Sequence, residues 1–315
     1  MRSALIRAAA IIIVIACLVV FARQLHWAEL GHDLAHARIG LLVLAGAINY
    51  FMLLGKAVAW RIMFAPRHEV PTSRLVRYTI VAFAASVLAP ARAGELLRVW
   101  LLKRRDGVPT ADVAAVAIAE KLLDGVTMLI LVAPLPWLLP GLDRWVATSI
   151  EICAALALGA LVVLSILVRR RAITEHGSWL GRFVAGMHVL RSPSRLAAVM
   201  LVLMGVWVVD FAMIWLVATA VGLSLTVPQG LLILFTLNLA ITAPSTPAGV
   251  GALEVGVLVA TRLLGIADEP AGALALLYHG LQIFPLLAVG LALEWRLVLG
   301  KDATYELETA KVAAS

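Results

Sequence analysis

The stretch PARAGELLR at residues 90–98 interrupts a long apolar run with charged and helix-breaking residues. A second interruption of the same kind, PSTPAGVGALE at residues 244–254, lies in the second half of the chain. Apolar sequence flanks both stretches, and hydrocarbon cannot form hydrogen bonds with the backbone N–H and C=O groups that a broken helix exposes. The fold must therefore supply partners for these backbone groups at both breaks.

The composition is that of a membrane protein. Hydrophobic residues make up 63% of the chain, charged residues make up 14%, and the mean hydropathy is +1.00, far outside the soluble globular range. We therefore expect an all-α polytopic membrane protein that forms a single membrane domain over residues 1–315. The net charge of +7 does not indicate nucleic-acid binding, because the basic residues lie in short loops between apolar segments.

Six apolar segments are long enough to cross about 30 Å of hydrocarbon at about 1.5 Å per residue. They are residues 4–22, 39–60, 111–133, 146–168, 196–222 and 271–293. The first segment has the position of a signal peptide, but Arg23 and Gln24 follow it without a clear small-residue cleavage site. We therefore expect an uncleaved first membrane span.

Two further apolar segments are too short to cross the bilayer. Residues 75–89 and 231–243 each reach about 20 Å as a helix before a break rich in proline and glycine. A second short helical stretch follows each of them. We expect two re-entrant helical hairpins, over residues 75–103 and 229–264, whose tips meet inside the protein.

The distribution of basic residues supports this arrangement. If the N-terminus is cytoplasmic, the cytoplasmic segments hold 18 of the 26 Lys and Arg residues and the outer segments hold 4, while the other 4 lie within the spans and hairpins. This asymmetry agrees with the positive-inside rule. It places both termini in the cytoplasm, including the tail at residues 296–315.

The same arrangement contains an inverted repeat. Residues 39–133 form one unit with the first hairpin, and residues 196–293 form a second unit in the opposite orientation with the second hairpin. The single span 146–168 links the two units. Inverted repeats with broken helices that meet near the midplane are typical of transporters.

Ionisable residues inside the apolar segments are candidate functional residues, because a charge at the bilayer centre costs at least about 2.5–3.5 kcal/mol. The candidates for the site are Arg92, Gly94, Glu95, Arg98, Glu120, Asp124, Gly249, Gly251 and Glu254, and further cavity or coupling candidates are Lys121, Asp210, Tyr278 and His279. An interval of 25 residues separates Glu95 from Glu120 and also Glu254 from His279. This recurrence gives the repeat modest support.

Two interpretations of these charges are open. They form a buried salt-bridge network that fixes the hairpins in place, or they build a binding site for an anion. In the second interpretation, arginines and the helix N-termini at Gly94 and Gly249 bind a phosphate, because guanidinium binds phosphate bidentately and helix N-termini attract anions. Glu120 and Asp124, which share one helix face, can pair with the arginines.

Other features carry weaker predictions. Residues 169–195 form either a short amphipathic helix on the inner leaflet or a solvated basic loop. The helical spacing of His26, His32 and His36 permits a metal site, and Lys56 is expected to snorkel or to pair with an acid. No cofactor is indicated, and no hydrolase, metalloprotease or nucleotide-binding motif occurs, so we expect no enzyme activity.

The combined motifs resemble the lysylphosphatidylglycerol synthase transmembrane region, a flippase-like family of integral membrane proteins. The resemblance extends over roughly residues 5–295, and its matching positions are Pro90, Arg92, Gly94, Glu95, Arg98, Glu120, Asp124, Pro244, Pro247, Gly249, Gly251 and Glu254. It implies a protein of the bacterial inner membrane that moves or handles lipids. Two positions depart from the family pattern, with Lys121 in place of an arginine and Ala248 in place of a glycine.

The resemblance and the charges lead to the hypothesis of a lipid flippase or scramblase with a central polar cavity. Its partner would be a membrane lipid, namely an anionic phospholipid, an aminoacyl-phospholipid or a lipid-linked sugar. The alternative is an accessory subunit or scaffold that serves a separately encoded lipid-modifying enzyme. A third hypothesis is an intramembrane transferase with Glu120 or Asp124 as the base. The sequence lacks the soluble aminoacyl-transferring domain of larger family members, so we expect no synthesis of lysylphosphatidylglycerol.

Overall fold

The computed structural model describes residues 36–88, 93–170, 179–242 and 247–298. Within these ranges every regular element is a helix and no strand occurs, which confirms the predicted all-α fold class. Several sequence predictions lie outside the described residues, namely those for the span 4–22, Cys17, His26, His32, Pro90, Arg92, Pro244 and the tail beyond residue 298.

The first half of the described chain begins with a long helix, two shorter helices and a second long helix. These are α1 (Ile39–Phe64), α2 (Thr72–Leu88), α3 (Ala93–Asp106) and α4 (Thr110–Val132). A four-residue helix α5 (Leu135–Leu138) and the long helix α6 (Arg144–Arg170) follow. Helix α2 thus ends at Leu88 and α3 begins at Ala93, on either side of the position where the sequence predicts a break.

The second half repeats the same order of helix lengths. After α7 (Trp179–Gly186) and a 3₁₀ turn at His188–Arg191, the chain forms α8 (Pro193–Ala220), α9 (Val227–Thr242), a 3₁₀ turn at Pro247–Gly249, α10 (Ala252–Leu263) and α11 (Asp268–Val298). The order long, short, short, long in α1 to α4 thus recurs in α8 to α11. This recurrence has the form that the predicted repeat requires.

Four described helices are long and apolar enough to cross a membrane. They are Ile39–Phe64, Arg144–Val168, Pro193–Ala220 and Asp268–Val298. Helix α4 has 23 residues, which is sufficient length, but it carries Glu120, Lys121 and Asp124 in its middle. The total of six spans and the re-entrance of the hairpins stay predictions.

The short helices pack in pairs where hairpins were predicted. Helix α2 packs against α3, and α9 packs against α10. Glycines make both contacts close: a methyl group added at Gly94 would lie 1.7 Å from the carbonyl oxygen of Ala82, and one added at Gly256 would lie 2.7 Å from Cα of Leu237. Small residues at a helix contact allow the backbones to approach.

The two halves of the chain also pack against each other. Helix α1 lies along α8, its counterpart in the repeat, and α2 packs against α11. The 3₁₀ turn at Pro247–Gly249 contacts α2, so the tip of the second hairpin reaches the first hairpin. Both hairpins are thereby held in the interior between α1, α4, α8 and α11.

Helix α6 lies at the periphery. Many of its apolar side chains are exposed, among them Leu156, Val162 and Ile166, as expected for a helix that faces lipid. Trp137 and Trp145 are exposed near its N-terminal end, where aromatic residues mark a membrane–water interface.

The structure corrects the prediction for residues 169–195. Helix α7 and the following 3₁₀ turn form there, but Met187 and Leu190 are buried in the protein core. Gly186 packs directly on Ala115 and Asp112 of α4. The apolar residues of this segment therefore pack against α4 and do not lie on a leaflet surface, because the protein core offers them a closer-packed partner than lipid does.

Candidate functional site

A buried cluster of opposite charges joins α1 to α4. The Nζ atom of Lys56 donates to Oδ2 of Asp124 at 3.0 Å and to Oε1 of Glu120 at 3.4 Å. Both carboxylates face α1 because they lie four residues apart, about one turn, on α4. The lysine therefore bridges them, which makes it a paired residue of the protein interior and not a snorkelling one.

Trp60 contacts both an acidic and a basic residue of this cluster. Its indole N–H donates to Oε2 of Glu120 at 2.5 Å, and the guanidinium carbon of Arg98 lies 3.4 Å from the centre of a Trp60 ring. Trp60 follows Lys56 by one helical turn, so both reach the same face of α4. The ring thus contacts both members of the pair Arg98–Glu120, whose nearest charged atoms are 3.6 Å apart.

Arg98 has unused hydrogen-bonding capacity. The residue is 5% exposed, yet its Nε and Nη2 atoms have no hydrogen-bond partner among the residues that the structure describes, and neither does Oδ1 of the nearby Asp124. Leaving buried polar atoms unpaired costs about 1–3 kcal/mol each, and more for charged groups. A ligand that accepts hydrogen bonds from the guanidinium would recover this free energy.

A second ion pair lies at the edge of the cluster. Lys121 and Glu95 are 3.0 Å apart, and their side chains are 49% and 48% exposed. Glu95 is in the first turn of α3, and Lys121 lies in the middle of α4. A half-exposed ion pair in the middle of a membrane helix requires a polar environment beside it.

Another polar cluster connects α8 with α11. The hydroxyl of Tyr278 donates to Oδ1 of Asp210 at 2.5 Å, and the side-chain amide of Gln282 donates to the Tyr278 hydroxyl at 2.8 Å. Trp207, one turn before Asp210 on α8, donates to the carbonyl oxygen of Asp124 at 3.0 Å. Helix α8 therefore contacts both this cluster and the charged cluster on α4.

A third cluster lies at the tip of the second hairpin. Nδ1 of His279 is 2.6 Å from Oε1 of Glu254, and its Nε2 is 2.8 Å from the carbonyl oxygen of Ala248. The other carboxylate oxygen of Glu254 accepts the backbone N–H of Gly251 at 2.7 Å. Glu254 thus caps the N-terminus of α10 and holds His279 at the same time.

The structure distributes the predicted residues over these three clusters. Arg98, Glu120 and Asp124 come together, with Glu95 and Lys121 beside them; Asp210 and Tyr278 form the second cluster; Gly251, Glu254 and His279 form the third. Of the two residue pairs that share the interval of 25 residues, Glu254 and His279 are in contact, whereas Glu95 pairs with Lys121, the residue after Glu120.

The helix N-termini differ in detail from the prediction. The backbone N–H of Gly94 donates to the hydroxyl of Ser86 at 3.1 Å, so α2 satisfies it. The second half-helix begins at Ala252, with Gly251 as its N-cap residue, and Gly249 belongs to the preceding 3₁₀ turn. One backbone amide at each site, Gly94 N–H and Gly251 N–H, therefore already has a side-chain partner from the chain in this arrangement.

Sequence inspection missed several polar residues of the site, above all Trp60, Gln282 and Trp207. Trp60 could have been found, because it lies four residues after Lys56 on one face of a predicted span. Trp207 and Gln282 gave no such signal, since their partners come from other helices. Among the described residues no group of three or more His, Cys, Asp or Glu side chains is arranged to hold a metal ion.

Comparison with known families agrees with this geometry. The model of the lysylphosphatidylglycerol synthase TM region matches residues 7–290. The chain belongs to this family. The matched range includes the residues of all three polar clusters described above. The match to the lysylphosphatidylglycerol synthase TM region confirms the resemblance seen in the motifs. The comparison with curated proteins finds no match.

Proposed function

We propose that this protein moves lipids between leaflets, as a flippase or scramblase, and binds the lipid headgroup at the cluster around Arg98. The guanidinium would hold the headgroup phosphate through Nε and Nη2, because these two parallel N–H groups match the geometry of phosphate oxygens. The acyl chains would stay in the bilayer. The substrate would be an anionic phospholipid, an aminoacyl-phospholipid or a lipid-linked sugar.

The observation that carries the proposal is the pair of unsatisfied donors on Arg98. A buried arginine with a purely structural role would be expected to have its donors satisfied, because a buried donor without a partner costs about 1–3 kcal/mol and more when it is charged. Here the ring of Trp60 fixes the guanidinium from one side, while two nitrogen atoms stay without partners. The arginine is therefore positioned before a ligand arrives.

The pair Glu95–Lys121 supports a lateral opening. These half-exposed side chains lie next to the buried cluster, on α3 and α4, where a headgroup would pass from the bilayer into the protein. Glu120, by contrast, is 4% exposed. The described arrangement is thus closed over the inner cluster, and transport would require α3 and α4 to separate.

We further propose that the protein acts without a chemical step, in the bacterial inner membrane with both termini cytoplasmic. A neighbouring lipid-modifying enzyme would supply or consume the transported lipid. The accessory-subunit alternative makes a different prediction, since a scaffold would move no headgroup when it is reconstituted alone.

The test is headgroup movement in proteoliposomes that contain fluorescent phosphatidylglycerol, measured by chemical quenching from outside. We expect Arg98→Gln to slow movement by about tenfold or more, because a hydrogen bond to a charged group contributes about 1.5–3 kcal/mol. Arg98→Lys keeps the positive charge but lacks the two parallel N–H groups of the guanidinium, so an intermediate rate is expected. The matched control is Arg262→Gln, which removes an exposed arginine paired with Asp268.

Two results would contradict the proposal. If folded Arg98→Gln protein moves lipid at the wild-type rate, the headgroup does not bind at this arginine. The second result concerns the wild-type protein. If it moves no lipid by itself, but moves lipid or stimulates the turnover of a lipid-modifying enzyme when that enzyme is added, the accessory role is the correct one.

A further inference from the structure

The contacts of His279 fix the number of protons at the tip of the second hairpin. The carbonyl oxygen of Ala248 can only accept, so Nε2 of His279, 2.8 Å away, carries a hydrogen. Nδ1 lies 2.6 Å from Oε1 of Glu254, and a hydrogen bond of this length needs a proton between the two atoms. The pair His279–Glu254 therefore holds one proton more than a neutral imidazole with a carboxylate.

The two side chains that share this proton, His279 and Glu254, both bind a strained turn at residues 248–251. Ala248, Gly249 and Gly251 have φ values of 57°, 77° and 83°, in the left-handed region that costs a residue with a side chain about 1–2 kcal/mol. His279 holds the turn at the Ala248 carbonyl, and Glu254 holds it at the Gly251 N–H. The turn has its observed shape while both contacts persist.

We propose that the pair His279–Glu254 is a proton-binding site whose occupancy fixes the tip of the second hairpin. Without the shared proton, two lone pairs would face each other at Nδ1 and Oε1. If the imidazole moved its remaining hydrogen to Nδ1, a lone pair at Nε2 would face the Ala248 carbonyl instead. Loss of the proton thus removes one of the two hydrogen bonds of His279, either the one to Glu254 that positions its ring or the one to the Ala248 carbonyl that holds the turn.

Among the described residues, Glu254 is the acidic side chain in direct contact with His279. Helix α9 has no titratable residue. On α8, Asp210 is bound by Tyr278, the residue before His279. The titratable groups of α1 are engaged elsewhere, since Tyr50 donates to the Pro285 carbonyl, Lys56 binds the carboxylates of α4 and Arg61 donates to the hydroxyl of Thr72.

Helix α2 carries its titratable residues at the end away from this tip. Arg74, Arg77 and Tyr78 lie in its first two turns. Arg77 binds Glu294 near the C-terminal end of α11, 2.8 Å away, whereas His279 lies near the middle of that helix. The remaining charged residue of α10, Arg262, pairs with Asp268 at the other end of α10.

The proton would act on the proposed lipid site through the contact between the hairpins. The turn at Pro247–Gly249 packs on α2, and α2 packs on α3, which carries Arg98. Because the headgroup is proposed to bind beside α3, release of the turn would loosen one wall of that site. This role of the proton in transport rests on the proposed function, whereas the order of the turn can be measured without any transport.

The experiment places a nitroxide spin label on the turn of the full-length protein in nanodiscs. Val250, between Gly249 and Gly251, is partly exposed, and Val250→Cys is made in a background in which Cys17 and Cys153 are replaced by alanine. We expect the mobile fraction of the spectrum to rise at least about threefold between about pH 6 and pH 9, since imidazole gives up its proton over such a range.

The decisive variant is Glu254→Gln. Its amide N–H₂ can donate to Nδ1 of a neutral His279, and its amide oxygen can accept from Gly251, so every contact survives without the extra proton. We expect this variant to stay immobile at both pH values. His279→Ala removes the hydrogen bond to the Ala248 carbonyl, and we expect its turn to be mobile at both pH values.

Each outcome decides the assignment. A wild-type spectrum that does not change with pH would overturn it, and so would a Glu254→Gln spectrum that changes as much as the wild type. An immobile turn in His279→Ala protein at both pH values would show that the histidine does not hold the turn. If the expected spectra are seen while lipid movement is absent in proteoliposomes, the proton site stands and the proposed transport fails.

Discussion

Neutralising one member of the buried charge cluster tests how α1 and α4 are held together. The cluster is balanced, with Lys56 and Arg98 facing Glu120 and Asp124. The contact between Lys56 and Asp124 is 3.0 Å long, and their side chains are 12% and 16% exposed. Lys56→Met leaves one excess negative charge in this environment, and Asp124→Asn leaves one excess positive charge.

The size of the effect follows from burial. Removing one partner of a buried pair costs about 3–5 kcal/mol, because the remaining charge stays without compensation. In the double variant the charges of Arg98 and Glu120 still balance. We therefore expect the free energy of unfolding to fall by only about 1–3 kcal/mol, which is the contribution of the missing hydrogen bonds. The two single losses would sum to about 6–10 kcal/mol, so the substitutions should couple by at least about 3 kcal/mol, which is the upper end of couplings between neighbouring residues.

The measurement is reversible unfolding of the purified protein in mixed micelles with increasing SDS, followed by tryptophan fluorescence. An equivalent cycle on the exposed pair Arg262 and Asp268, whose side chains are 47% and 25% exposed, serves as control and should show less than about 1 kcal/mol of coupling. If both single variants of Lys56 and Asp124 cost less than about 1 kcal/mol and add without coupling, the cluster does not stabilise the fold as described.

Two further predictions concern packing and hydrogen bonding. Gly94→Ala should lower the folded yield and the melting temperature, because its methyl group would lie 1.7 Å from the Ala82 carbonyl oxygen. The control is Gly125→Ala, whose methyl group would have no atom within 4 Å, and which should be neutral or gain up to about 1 kcal/mol of stability from helix propensity. Equal melting temperatures of the two variants would contradict this prediction. Tyr278→Phe should destabilise by about 1.5–3 kcal/mol, because Asp210 loses a buried donor. The same SDS titration measures it, and an unchanged midpoint would show that this hydrogen bond contributes nothing.

The helices could be predicted from the sequence because lipid allows few alternatives. An apolar segment in hydrocarbon must satisfy its own backbone, so hydropathy and the Pro/Gly breaks define the helices. The predicted segment 111–133 is the helix Thr110–Val132, and the predicted arm 75–89 is the helix Thr72–Leu88. The prediction was wrong for the placement of residues 187–190, because their burial depends on a groove beside α4 that no local pattern describes.

The site could be predicted in part for a similar reason. A charge inside an apolar segment is visible in the sequence, so Arg98, Glu120 and Asp124 were identified without a structure. Their partners were not, because an aromatic residue such as Trp60 looks the same whether it faces lipid or binds a carboxylate. The strained turn at Ala248 was likewise beyond the sequence, since its shape depends on a histidine 31 residues away.

By itself, the sequence determined the all-α membrane fold, the family and the two breaks at residues 90–98 and 244–254. These features follow from local chemistry, namely hydropathy, charge and the loss of backbone hydrogen bonds at proline. The tertiary structure alone decided which charges meet. It directs Arg98 to the ring of Trp60, and it brings Nδ1 of His279 within 2.6 Å of Oε1 of Glu254. These contacts join helices whose relative positions no single segment specifies.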